Sequence, residues 1–329
     1  MDAFPVLDSI LAPDAIAAFV KEKYDLQGLV SARILKTGIS HTYLIEQENG
    51  KNVFRLYTKG WRTEKEILSE IALLNMLHQN KVSVSYPIED VKKIYVQELV
   101  APEGIRYGVL FSFAKGEKML NMPDEVHYKL GKLMASIHLL TKDYKIERVT
   151  YTPDVLLKDS FDWLKKFLPA ETEEMIYMQT LQNKLYNTFL QAPSDKLRFG
   201  AVHLDIWFDN LVVDDNKPTL FDFDFCGNGW LLLDISYYIL QLFSTERDEA
   251  VFHRKKDQFF EGYQSIASIS REEMDLIPAA GAAVYFFYLG VQCSRFDNWS
   301  NNFLNEIYLK RFISLLIKRW VDFHESVPK

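Results

Sequence analysis

Residues 200–224 read Gly-Ala-Val-His-Leu-Asp-Ile-Trp-Phe-Asp-Asn-Leu-Val-Val-Asp-Asp-Asn-Lys-Pro-Thr-Leu-Phe-Asp-Phe-Asp. The apolar residues 211–213 predict a short buried strand. The polar residues 214–218 predict a turn, because Asp, Asn and Pro favour turn conformations. Residues 219–221 predict the returning strand, so the whole stretch is expected to form a β-hairpin.

Acidic and amide side chains flank this predicted hairpin. Asp205 and Asn210 precede the first strand, and Asp222 and Asp224 follow the second. Because a hairpin brings its outer ends together, we expect three carboxylates and one amide to converge. Carboxylates that close repel one another unless a positive charge lies between them. Mg²⁺, bound by one or two carboxylates and by substrate phosphates, fits this set. A carboxylate outside the metal shell can act as a base, as phosphoryl transfer requires.

The order and spacing of these residues resemble a known family. His203-Leu204-Asp205, then Asn210, then Phe221–Asp224 is similar to the pattern of the aminoglycoside phosphotransferase and choline kinase superfamily. These are small-molecule kinases with a protein-kinase-like fold. The family pattern usually has Gly where this chain has Leu204, and this is a departure from it. The resemblance extends from about residue 30 to about residue 315.

The resemblance implies transfer of the γ-phosphoryl group of ATP to a hydroxyl of a small molecule, with Mg²⁺. Asp205 would be the catalytic residue that accepts or orients the hydroxyl proton. Asn210 and Asp222 would hold the metal, and Asp224 would either assist the metal or hold Asp222 in place. His203 would brace the catalytic loop.

A charged residue interrupts an apolar strand in the N-terminal part. Arg55 lies within the predicted strand 52–57, where a charge needs a partner. The following segment, 63–79, has the apolar periodicity of a helix and carries Glu70. The resemblance implies that Arg55 contacts nucleotide phosphates and pairs with Glu70; a purely structural salt bridge is the alternative. Residues 55–70 are also similar to the bacterial stress response kinase branch.

Two further segments are predicted to bind the nucleotide. The loop that joins strands 30–35 and 42–47 contains Gly38 and Ser40, and a glycine-bearing loop can place backbone N–H groups over phosphates. By itself this loop is a weak signal, since a single glycine between strands is usually a turn.

The second segment, 112–116, is interpreted as a hinge between two lobes. Its family position implies that the exposed backbone at Ser112 and Ala114 pairs with the adenine edge.

The element pattern, an antiparallel sheet followed by helices, predicts an α+β fold, and the resemblance implies that it is a protein-kinase-like fold of two lobes. Residues 1–112 are predicted to form an N-terminal nucleotide-binding lobe with an antiparallel β-sheet of about five strands. Residues 113–329 are predicted to form a mainly helical C-terminal lobe with the catalytic loop and the substrate site.

Several single residues of the C-terminal part have two interpretations. Asp234 is expected to cap a helix or to brace the catalytic loop, and His138 is expected to be a core or capping histidine rather than a catalyst. Five aromatic residues have the types of a pocket wall, but their helical spacing favours core packing: Trp163, Tyr177, Phe287, Tyr288 and Trp299.

Composition restricts the class of protein. The net charge is −7 over 329 residues, and the absence of basic stripes argues against nucleic acid as a partner. The N-terminus has no basic region of a signal peptide. The apolar run 277–291 contains Pro278 and is predicted to be a buried helix, too short to cross a membrane. The two cysteines show no metal-ligand spacing, so a reduced cytoplasm is expected.

The sequence leaves the acceptor open among aminoglycosides, amino alcohols, homoserine and sugars, and it does not indicate the oligomeric state. A protein Ser/Thr kinase of the stress response kinase type would share every catalytic residue. A pseudokinase is disfavoured by the complete set of Asp205, Asn210 and Asp222. A metal-dependent hydrolase would not explain the pairing of Arg55 with Glu70.

Overall fold

The computed structural model describes residues 4–295 and 303–326; Trp299 lies outside these ranges. The chain divides into two compact units, Met1–Lys115 and Gly116–Lys329. The first unit is built around a sheet and the second around helices.

Over residues 4–115, the first unit contains one antiparallel sheet with two helices. Its elements in chain order are α1 (Pro13–Lys23), β1 (Val30–Lys36), β2 (Ser40–Gln47), β3 (Gly50–Tyr57), α2 (Glu64–Gln79), β4 (Pro87–Ile88), β5 (Val96–Ala101) and β6 (Gly104–Ser112). The strand order is β1-β2-β3-β6-β4, and β5 also pairs with β6. The sheet has one strand more than expected, because the two-residue β4 adds an edge next to β6.

Apolar burial and helix capping explain the packing of this unit. Ile16 and Val20 of α1 are buried in one cluster with Phe54 and Leu56 of β3. Helix α2 begins after Thr63, whose side chain accepts a hydrogen bond from the third helical residue in a reciprocal capping box. Such a box satisfies two helical N–H groups that have no partner within the helix. Helix α2 is therefore held at a defined start beside the sheet.

Within its described residues, 116–295 and 303–326, the second unit is mainly helical, with two small antiparallel sheets. Its strands are β7 (Phe199–Val202), β8 (Leu211–Asp214), β9 (Lys217–Leu220) and β10 (Gly227–Trp230); β7 pairs with β10 and β8 with β9. Its α-helices are α3 (Asp124–Thr141), α4 (Ser160–Leu164), α5 (Glu173–Leu190), α6 (Leu232–Thr245), α7 (Glu249–Gln264), α8 (Arg271–Ser294), α9 (Glu306–Phe312) and α10 (Arg319–Ser326).

Helix α8 is longer than the apolar run that predicted it. It has 24 residues because Ser270 caps its start in a second capping box with Glu273. By length and by the mean hydropathy of an 18-residue stretch (1.5), α8 is the one candidate membrane span among the described residues. However, 72% of that stretch is buried inside the protein. The prediction that this helix is too short to cross a membrane was wrong, whereas the prediction that it is buried is confirmed.

Helices α3 and α7 cross at very short distance through two glycines. A Cβ atom on Gly131 would overlap the carbonyl oxygen of Phe259, and one on Gly262 would overlap the carbonyl oxygen of Tyr128. A side chain at either position therefore forces the two backbones apart.

We expect Gly131→Ala to lower the free energy of unfolding by roughly 1–3 kcal/mol, the usual cost of overpacking. Denaturant unfolding of the purified protein measures it. Lys132→Ala, at the neighbouring exposed position, is the control and should change stability by no more than about 0.5 kcal/mol. Equal stability of the Gly131→Ala variant and the wild type would contradict the close crossing.

Candidate active site

The predicted hairpin is confirmed as β8 and β9, which pair from Leu211 opposite Leu220 to Asp214 opposite Lys217. Asp215 and Asn216 form the turn with φ of 48° and 57°, as a two-residue type I′ turn requires. Pro218, predicted in the turn, instead lies in β9 opposite Val213.

The outer ends of this hairpin meet as expected. The Phe221 N–H donates to the Asn210 carbonyl oxygen over 3.1 Å. The ring of His203 adds a second link, because its Nε2 lies 3.2 Å from the Phe221 carbonyl oxygen. Its Nδ1 accepts the Asp205 N–H over 3.1 Å. His203 is 1% exposed, and it connects the segment before β8 to the segment after β9.

Donors from two different segments hold the Asp205 carboxylate. Asn210 Nδ2 donates to Oδ2 over 2.7 Å and also to the Asp205 carbonyl oxygen over 3.0 Å. The Tyr237 hydroxyl donates to Oδ1 over 3.0 Å. Burial and the neighbouring charge of Asp222 raise the pKa of Asp205, while His203 and the hydroxyls of Tyr288 and Tyr237 act in the opposite direction. Asp205 therefore lies beside Asn210 and Asp222.

The loop before Asp205 adopts a backbone that normally favours glycine. Leu204 has φ of 64°, which costs a residue with a Cβ roughly 1–2 kcal/mol. The carboxylate of Asp234 offsets this cost by accepting the N–H groups of His203 (3.0 Å) and Leu204 (2.6 Å). The Leu204 side chain is fully buried. Leu204 is thus held in the left-handed conformation by its buried side chain and by the bonds to Asp234.

Asp234 and His138 form a buried polar pair beneath this loop. His138 Nε2 lies 3.2 Å from Asp234 Oδ2, and its Nδ1 lies 2.7 Å from the Tyr263 hydroxyl. Both His138 and Asp234 are essentially unexposed. Of the two roles expected for Asp234, the structure shows the second, because its carboxylate braces the loop. His138 is a core histidine.

Asp222 and Asp224 follow the hairpin in different environments. Asp222 has φ of 65° and is half-buried. Asp224 is 4% exposed, and its carbonyl oxygen accepts a hydrogen bond of 2.9 Å from the buried Arg148. Across residues 4–295 and 303–326, no group of three His, Cys, Asp or Glu side chains is arranged to hold a metal ion. The predicted ligand set, Asn210 with Asp222 and Asp224, includes an amide and is therefore not a group of that kind; it stays a prediction.

Two tyrosines, one of them expected in the core, contact Asp205 or the loop that carries it. The rings of Tyr237 and Tyr288 stack with centroids 5.2 Å apart, and the Tyr288 hydroxyl donates to the Leu204 carbonyl oxygen over 3.2 Å. Phe225 and Phe287 pack edge-on against Tyr288. The interpretation of Tyr288 as a plain core residue missed its contact with the loop. It missed Tyr237 entirely, although Tyr237 lies one helical turn after Asp234.

In the first unit, Arg55 and Glu70 lie close together. Arg55 Nη1 is 3.6 Å from Glu70 Oε1, with side-chain exposures of 11% and 1%. The Tyr57 hydroxyl donates to the other Glu70 oxygen over 3.3 Å. Each carboxylate oxygen of Glu70 in α2 thus contacts one side chain of β3, Arg55 or Tyr57.

The other predicted nucleotide-binding residues of this unit lie at strand ends. Gly38 is buried in the turn before β2. Ser40, expected in that loop, is instead the first residue of β2, opposite Tyr57, because the strand pairing extends further than the alternation indicated. Ser112 ends β6, and Ala114 lies two residues later outside any strand. The Ser112 N–H donates to the Tyr86 carbonyl oxygen, and its own carbonyl accepts the Ser85 hydroxyl.

Comparison with known proteins gives a consistent result. Residues 31–269 match the model of the phosphotransferase enzyme family, APH. A homoserine kinase of Agrobacterium fabrum is 28% identical over 284 residues, with 84% of each chain covered. A solved amicoumacin kinase in complex with AMP-PNP and Ca²⁺ superimposes with a TM-score of 0.76 at 19% identity, covering 95% of this chain and 97% of its own. A microcompartment-associated aminopropanol kinase gives 0.74 at 19% identity, covering 94% and 98%. The chain therefore belongs to the phosphotransferase enzyme family and is a kinase with an α+β, protein-kinase-like fold.

Proposed function

We propose that this kinase transfers the γ-phosphoryl group of ATP to the hydroxyl of a small molecule, with Asp205 as the catalytic residue. The observation that carries the proposal is the carboxylate of Asp205 held by Asn210 and lying beside Asp222 at the mouth of the hairpin. The acceptor hydroxyl attacks the γ-phosphorus, and its proton passes to Asp205 as the new P–O bond forms. The bond between the γ-phosphorus and the bridging oxygen breaks, and ADP leaves.

The donor chemistry of two residues fits a Mg²⁺ ion. Asp222 offers carboxylate oxygens, and Asn210 offers its amide oxygen because its Nδ2 already donates to Asp205. Mg²⁺ is commonly bound by one or two such protein ligands together with substrate phosphates. The ion would neutralise negative charge on the phosphates. Of the two roles considered for Asp224, the burial of its side chain favours holding the turn that carries Asp222; Arg148 holds the same turn through the Asp224 carbonyl oxygen.

Residues of the first unit are proposed to bind the nucleotide. Arg55 would neutralise phosphate charge, and Glu70 would hold Arg55 in its position, consistent with their separation of 3.6 Å. The turn at Gly38 and the start of β2 at Ser40 would place backbone N–H groups near the phosphates. At the end of β6, the second lone pair of the Ser112 carbonyl and the backbone of Ala114 would pair with the adenine edge.

The relatives favour a hydroxyl-bearing amine as the acceptor. A protein 28% identical over most of both chains is named a homoserine kinase, and homoserine carries an amine and a hydroxyl. We therefore place homoserine and amino alcohols ahead of aminoglycosides and sugars. We also place the enzyme in the cytoplasm, where ATP is abundant and where the buried thiols of Cys226 and Cys293 would remain reduced.

The test is ADP release from ATP with and without Mg²⁺ against a panel of homoserine, aminopropanol, choline, an aminoglycoside, a sugar and a generic protein substrate. We expect Mg²⁺-dependent release with one of the small hydroxyl-bearing amines. Turnover of the protein substrate alone would favour the stress response kinase alternative. No Mg²⁺-dependent release above the rate with water would contradict the proposal.

A further inference from the structure

The Tyr237 hydroxyl donates a hydrogen bond to one oxygen of the Asp205 carboxylate. Tyr237 lies in α6, is 4% exposed and donates to Oδ1 over 3.0 Å. The other oxygen, Oδ2, accepts Asn210 Nδ2 over 2.7 Å. A carboxylate with a donor on each oxygen cannot rotate without breaking a charge-assisted hydrogen bond. Its orientation is therefore fixed from two sides.

Helix α6 holds both the backbone and the side chain of the catalytic loop. Asp234 and Tyr237 are three residues apart and so lie on the same helical face. Asp234 accepts the N–H groups of His203 and Leu204, while Tyr237 reaches the carboxylate of the next residue, Asp205. One helical turn thus sets where the loop lies and how its carboxylate points.

A second tyrosine keeps the ring of Tyr237 in place. Tyr288 of α8 stacks on it at an interplanar angle of 25°, and the Tyr288 hydroxyl is anchored on the Leu204 carbonyl oxygen. The ring of Tyr237 therefore has a packed aromatic neighbour, and its hydroxyl is directed to one atom.

We propose that Tyr237 is a positioning residue for phosphoryl transfer, which holds Oδ1 of Asp205 so that a remaining carboxylate lone pair faces the acceptor hydroxyl. This inference rests on the proposed role of Asp205. A 1 Å misplacement of a reacting group is costly in rate. Loss of the tyrosine hydroxyl should therefore reduce turnover more than nucleotide binding.

The experiment is a double-mutant cycle of Tyr237→Phe and Asp205→Asn. Rates of ADP release are measured with the panel compound that turns over, or with water as acceptor where none does. We expect Tyr237→Phe to lower kcat roughly 10- to 100-fold, the range for a hydrogen bond to a charged group, with KM for Mg²⁺-ATP unchanged. In the Asp205→Asn background, Tyr237→Phe should have no further effect, because residues that act as a unit are not additive.

The neighbouring residue supplies a matched control. Tyr238 is also buried in α6, and its hydroxyl bonds to His127 of α3 rather than to the catalytic loop. Tyr238→Phe removes an equivalent buried hydroxyl, so it should lower the unfolding temperature but leave kcat within about twofold.

The possible outcomes separate this inference from the proposed function. Wild-type kcat in Tyr237→Phe, or rate losses that multiply in the double variant, would overturn the positioning role while the role of Asp205 stands. Wild-type kcat in Asp205→Asn would overturn the proposed catalytic role, and the positioning role with it. If Tyr238→Phe and Tyr237→Phe lower kcat equally, the loss of activity comes from a general loss of stability in α6. This result would also overturn the inference.

Discussion

Asp205→Asn is expected to lower kcat by about 10²–10⁴-fold, the usual contribution of a positioned general base. This corresponds to roughly 3–5 kcal/mol of activation free energy. Asparagine has nearly the same shape, so the loop should keep its conformation, but the amide cannot accept the acceptor proton. The affinity for Mg²⁺-ATP should persist because Asn210 and Asp222 are unchanged. Steady-state ADP release gives kcat, and calorimetry gives the affinity.

The matched control for this variant is Asp214→Asn, which makes the same chemical change at the exposed far end of the same hairpin. It should leave kcat within about twofold, because surface substitutions away from a site have small effects. Equal activity of Asp205→Asn and Asp214→Asn would remove the base role from Asp205.

Asp222→Ala is expected to weaken the binding of ATP in the presence of Mg²⁺ by about 10- to 100-fold or more. Substitutions of supporting residues in metal sites already cost that much, and Asp222 is proposed to be a direct ligand. Binding of ATP without Mg²⁺ should not weaken and should strengthen slightly, since without the ion the carboxylate only repels the phosphates. Calorimetry of wild type and variant with and without Mg²⁺ measures all four affinities.

The backbone of Asp222 requires a second variant as a control. Its φ of 65° is strained for alanine but is tolerated by asparagine. Asp222→Asn should therefore keep the native turn and unfolding temperature while losing one negative charge from the metal site. If Asp222→Asn and Asp222→Ala both bind Mg²⁺-ATP as tightly as the wild type does, Asp222 is not a metal ligand.

Local patterns predicted much of the site because its parts are close in sequence. Asp205 and Asn210 are five residues apart, and the β8–β9 hairpin returns the chain to Asp222, so turn chemistry and strand alternation were sufficient to bring them together. The pairing of Arg55 with Glu70, which the family resemblance implied, likewise joins one strand to the next helix along the chain. Loop boundaries were less predictable, as Ser40 illustrates, because strand pairing extends wherever a neighbouring strand supplies partners.

The sequence by itself determined the family, the α+β fold class and the set of acids and amide at the hairpin, since these depend on residue types at short, characteristic spacings. Only the tertiary structure decided what holds those residues in place. Tyr237 and Tyr288 reach the catalytic loop from positions 32 and 84 residues away from their partners. Asp234 braces the same loop across 30 residues. Side chains on buried helices look alike in sequence whether they fill the core or face a site, because both roles follow the same helical period. Packing of α6 and α8 against the loop distinguishes the two roles.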